Sequence, residues 1–158
     1  MKYRQLSKEQ FEALHEEFAQ FLATQQIDVA EWKRIKTDNP SMADEELDVF
    51  SDTVWENVLA KTEYLEHFSE DSINLFKCNQ DQIHRIVVEV KKEGINLMEQ
   101  KGFQWFFNNS NDESVSYFKA SKTYEQERNV EVFDLIEKGA TITNGELFEA
   151  MSEMLAGQ

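Results

Sequence analysis

The stretch from Ser72 to Val90, SINLFKC-NQD-QIHRIVVEV, decides how this chain folds, because here apolar residues change from a helical period to an alternating one. The spacing predicts strands at Ser72 to Cys78 and Gln82 to Val90, joined as a hairpin around Asn79, Gln80 and Asp81. In the second strand His84, Ile86, Val88 and Val90 share one face, and Ile83, Arg85, Val87 and Glu89 the other. Both faces carry apolar residues, so the sheet is expected to be covered on both sides over part of its area. A third strand is predicted at about Val115 to Ala120, after the run GFQWFF (102–107) and a polar loop from Asn108 to Ser114. Three strands make a minimal sheet.

Upstream of the hairpin the chain reads as helical. One start signal, a capping box flanked by apolar residues, appears three times: Ser7 with Gln10, Asp28 with Glu31, and Thr143 with Glu146. The first predicts a helix over about Lys8 to Thr24, burying Phe11, Leu14, Phe18, Phe21 and Leu22. The second predicts one over about Val29 to Lys36, ending near Asn39 and Pro40. A long third helix is expected from about Met42 to Phe68, with Ala43, Leu47, Phe50, Val54, Val58, Leu65 and Phe68 in one sector. Two closing helices, about Val130 to Lys138 and Asn144 to Leu155, are separated by Gly139 as a helix C-cap. The expected architecture is α+β: one mostly helical domain over 1–158 with a small three-stranded antiparallel sheet, its helical half about 1–71 and its mixed half about 72–158.

Composition narrows the function classes. A length of 158 residues with 41% apolar content supports one core, and a net charge of −15 opposes direct contact with nucleic acid or an anionic membrane. The single cysteine, Cys78, forms no internal disulfide, and no apolar run reaches the roughly 18 residues of a membrane span. A cytoplasmic protein with no direct membrane contact is expected.

The feature most suggestive of function is a row of carboxylates, Asp44, Asp48, Asp52 and Glu56, in a window from Asp38 to Ala60 without Lys or Arg. Like charges four apart on a helix are neighbours and destabilise it. The helix macrodipole accounts for acids in the first turn, such as Asp44, but not for Asp52 and Glu56 further in. Trp55 and Leu59 fall in the acidic sector, forming either a second buried face or an apolar anchor rimmed by carboxylates. The expectation drawn is a non-enzymatic binding or regulatory protein, with Asp44, Asp48, Asp52 and Glu56 around Trp55 meeting a basic protein partner. Two alternatives from other classes are an acidic nucleic-acid mimic and a carboxylate/His metal-dependent enzyme.

Catalytic signals are sparse. The chain has no G-x-x-x-x-G-K-[ST], G-x-G-x-x-G or G-x-S-x-G, and no paired cysteines for zinc, so no cofactor is expected. Glu12 and His15 match half of a helical dimetal motif whose second copy is absent; Glu63, Glu66 and His67 have the wrong spacing to complete it. His84 reads as a half-buried histidine, Cys78 as a small buried hydrophobe, and Phe103, Trp105, Phe106 and Phe107 as core before binding platform.

The opening segment MKYRQLSKEQFE (1–12), YLEHF (64–68), GFQW (102–105) and GATITNGEL (139–147) together resemble a small family of uncharacterised flavobacterial proteins of unknown function. The resemblance spans the chain and implies a bacterial cytoplasmic protein. It brings no active site.

Overall fold

A computed structural model describes residues 1–157. The chain divides into two compact units, Met1–Ala60 and Lys61–Gln158.

The first unit is helical. Ser7 caps α1 (Lys8–Ala13) with the full reciprocal box to Gln10, and Asp28 caps α3 (Val29–Asp38) by accepting the Glu31 N–H at 2.7 Å. The expected continuous first helix is broken at Leu14, whose N–H is shared between the Gln10 and Phe11 carbonyls before α2 (His15–Thr24) begins. Phe18 gathers the rings of Phe11, Phe21, Trp32 and Phe50 at centroid distances of 4.9 to 6.3 Å. Beside them Leu22, Ile27, Ile35 and Ala43 are buried. Pro40 does more than stop α3. It opens α4 (Pro40–Lys61), where its missing N–H is no loss.

Helix α4 departs from expectation in two ways. It ends at Lys61, and the segment expected to prolong it to Phe68 is a strand. Its buried side is also not one stripe. Ala43 and Phe50 are buried early, Trp55 and Leu59 late, a rotation of roughly 150° around the axis at 3.6 residues per turn. Val58, expected in the core, is 39% exposed. The second buried face is the arrangement found.

The second unit is built on one antiparallel sheet. Its strands are β1 (Tyr64–Phe68), β2 (Ser72–Cys78), β3 (Gln82–Val90), β4 (Val115–Thr123) and β5 (Thr141–Thr143), in the order β4-β3-β2-β1-β5. The hairpin falls where the alternation places it, but the sheet has five strands, not three. Leu65 and Phe68 continue the apolar sector of α4 when counted at helical period, which hides the alternation of β1; β5 has only three residues. Helices α5 (Gln100–Asn108), α6 (Arg128–Glu137) and α7 (Glu146–Ala156) complete the unit.

Register assigns the faces. Ile73, Leu75, Ile86, Val88 and Val90 line one face and form a core with Leu97, Phe106, Phe148 and Met151. Leu65, Phe76, Cys78 and Ile83 are buried on the other face, beside which α6 brings the Glu131 carboxylate to Lys122 at 3.1 Å. The sheet is thus apolar on both sides. Strand β4 lies at its edge and is largely exposed.

Two glycines fix the packing. A Cβ on Gly102 in α5 would lie 1.9 Å from the Asn96 carbonyl oxygen, so only glycine allows that approach. Gly145, at φ 83, caps α7 where the third capping box was expected; Thr143 instead ends β5, and its Oγ1 accepts the Gly145 N–H at 3.2 Å. Gly139, at φ 111, terminates α6 as expected. Among the described residues no helix is long and apolar enough to cross a membrane.

Candidate functional site

The carboxylate row on α4 is not bare. Asp48 to Glu56 covers about 12 Å of helix. Residues 2–6 lie along it, with a bend at Tyr3. The Asp52 carboxylate accepts two successive backbone N–H groups, from Lys2 at 2.7 Å and from Tyr3 at 2.9 Å. Glu56 pairs with the Lys2 ammonium at 2.9 Å and accepts the Tyr3 hydroxyl. Asp48 accepts the Gln5 amide at 3.0 Å. The Arg4 guanidinium lies 4.8 Å from the centre of the Trp55 ring, within cation–π range. Below them the buried Ser51 hydroxyl accepts the Leu6 N–H at 3.0 Å and donates to the Leu47 carbonyl at 2.7 Å. Burial and the bond to Glu56 push the Tyr3 phenol up to about 12.

The structure therefore brings Asp48, Asp52, Trp55 and Glu56 together around one segment, residues 2–6. Asp44 lies a turn further towards the start of α4, exposed, with Glu45 beside it. Trp55 is 8% exposed and belongs to the buried face. Sequence reasoning missed residues 2–6 as the occupant. The signal was there in Lys2 and Arg4, two cations flanking Tyr3 ahead of the first cap.

Cavities open on both faces of the sheet. One, of about 470 Å³, lies between the sheet and α6, with Phe76, Ile83 and Leu135 as apolar lining and Arg85, Lys122, Lys138, Glu131 and Asp134 around it. Its charges are of both signs, and the Lys122 and Glu131 pair accounts for two of them. The other, of about 300 Å³, lies on the opposite face beside α7 and contains His84, whose Nδ1 is 2.6 Å from the Ser121 hydroxyl.

The histidine and carboxylate sets do not converge. His15 is exposed, its Nδ1 against the Glu12 carbonyl oxygen rather than a carboxylate. Glu66 and His67 are successive strand residues and face opposite sides of the sheet, so one ion cannot take both; burial raises the Glu66 pKa, with Thr143 working against it. Among the described residues no three His, Cys, Asp or Glu side chains are grouped to hold a metal ion. Cys78 is buried, and burial pushes its thiol up to about 11. Of the aromatic run, Phe106 is fully buried and Phe103 packs on it, while Phe107 is 58% exposed.

Fold and site define an α+β protein whose acidic helix holds a basic segment of its own chain and whose sheet carries a cavity on each face. Residues 1–156 match the model of a family of unknown function, DUF6495, and the chain belongs to that family. No curated protein and no solved structure matches it.

Proposed function

We propose that this is a non-enzymatic binding or regulatory protein of the bacterial cytoplasm that recognises a short basic segment of a partner protein along the α4 row. One observation carries the reading: the row already holds the chain's own Lys2, Tyr3 and Arg4, with contacts suited to a cationic peptide. Asp52 reads backbone N–H groups and accepts any sequence. Glu56 favours a cation followed by an aromatic hydroxyl, Trp55 a second cation, and Asp48 an amide donor. A partner segment takes the place of residues 2–6, and the exposed Asp44 and Glu45 extend the acidic surface it meets. The attraction raises the association rate, sets specificity and weakens with salt.

The test uses a labelled peptide of residues 1–7 and a charge-matched scrambled peptide, titrated against the full chain and against a K2A/R4A variant. Tighter binding of the native-order peptide to K2A/R4A, lost at high salt and on Asp52→Ala, supports exchange on the row. Equal binding of both peptides, or indifference to Asp52→Ala, overturns it. A partner captured on the row but displaced by duplex DNA would replace this reading with the nucleic-acid mimic.

A further inference from the structure

We propose that the cavity between β2, β3, β4 and α7 binds the phosphate group of a small molecule. The inference is independent of the α4 row, which lies in the other unit. Lys77, His84 and Ser121 are register partners on three adjacent strands, so their side chains stand in a row on one face of the sheet. Lys119 follows two residues before Ser121 on the same face. Phe148 and Ser152, one turn apart on α7, form the facing wall.

The charge of this lining is the argument. The chain has 31 acidic and 16 basic residues, yet no Asp or Glu lines this cavity, while Lys77, His84 and Lys119 do. Arg85 also borders it, with its guanidinium turned to Asn74. On α7 the Glu149 carboxylate is taken up by the Lys77 ammonium at 2.8 Å and the Tyr64 hydroxyl at 2.7 Å, which leaves the Lys119 ammonium as the cation facing the cavity, with the His84 imidazole beside it. Donors come from two walls: an ammonium and the hydrogen-bonded His84–Ser121 pair, which keeps one N–H or O–H free, from the sheet, and a hydroxyl, Ser152, from the helix. That arrangement surrounds a tetrahedral oxyanion, whereas a planar carboxylate takes its donors close to one plane. Phe148 and Ile86 supply an apolar surface for the carbon skeleton, and about 300 Å³ suits a small phosphorylated compound.

The test is an amide-resolved NMR titration of the full chain with inorganic phosphate, then with glycerol phosphate and with acetate, at constant ionic strength. Saturable shifts at His84, Ser121 and Ser152 are expected, with glycerol phosphate the tightest. Lys119→Gln and His84→Gln each weaken binding about tenfold or more, as loss of a charge-assisted contact should. Lys122→Gln, on the opposite face, leaves it unchanged. Absence of saturable shifts at these amides, equal weakening by Lys122→Gln, or acetate binding as tightly as phosphate overturns the proposal. Lys119 is exposed, so its variant keeps the fold, and the His84 variant provides a second, separate check.

Discussion

Arg128 ties the hairpin to the start of α6, and its removal has a cost that the structure allows to be worked out. Its guanidinium donates to three main-chain carbonyls: Thr62, Cys78 at 3.0 Å and Asn79 at 3.2 Å, with a further bond to the Asn129 side chain at 2.9 Å. Thr62 and Cys78 are buried, at 2% and 3% exposure, so water does not readily replace the lost donor there. The Asn79 carbonyl keeps the Tyr124 hydroxyl at 2.8 Å and loses little. Two buried carbonyls losing charge-assisted donors at about 1.5–2 kcal/mol each give about 3–4 kcal/mol for Arg128→Met, which preserves most of the apolar stem. That is a large share of a domain stability of about 5–15 kcal/mol. Arg128→Lys reaches one carbonyl rather than two and recovers about half. The assay is urea unfolding followed at amides of β2 and β3, which reports the sheet unit alone. With a slope near 2 kcal/mol per molar, the midpoint falls by about 2 M for Met and about 1 M for Lys. A loss below about 1 kcal/mol for Met, or a Lys variant as stable as the parent, would refute the clamp.

Gly102→Ala sets a methyl against the Asn96 carbonyl, so melting should fall by more than about 10 °C; an unchanged melting curve would mean that α5 shifts freely. Because Tyr3 is raised from 10 to about 12, the docked segment favours the neutral phenol. Its contribution is complete below pH 10 and is lost as pH rises towards about 12, seen as a late phenolate absorbance step that Tyr3→Phe removes; a step at the ordinary phenol value would contradict the docking. Cys78, buried and pushed up to about 11, should react with a disulfide reagent at about pH 8 only as fast as the protein opens, and immediate reaction in the native state would show that the thiol is accessible.

The hairpin was legible because both strands are largely alternating, with apolar residues added on the second face, and a polar turn separates them. Strand β1 was not, since Leu65 and Phe68 extend the apolar sector of α4 so well that period alone favours helix. Local pattern cannot register that β2 needs a partner on its second side, and three-residue β5 is too short to show a period. The candidate site was legible by half. Like charges a turn apart announced that Asp48, Asp52 and Glu56 oppose something, but the two main-chain N–H groups that meet Asp52 have no sequence signature. The third capping box failed for a related reason: Thr143 satisfies the pattern, yet it is claimed by the pairing of β5 with Tyr64.

The exposed edge strand β4 bears on how the protein behaves when crowded. Nine residues of open main chain invite another strand to add on, and the opposite edge is blunted by the brevity of β5. Lys119 and Lys122 project to opposite faces of that edge, and Lys122 is already paired with Glu131, so a second copy pairing antiparallel would bring its own ammonium group chiefly towards Lys119. A cationic edge on a strongly anionic body thus discourages stacking into fibrils without surrendering the strand, and a partner carrying acidic side chains would be spared that penalty.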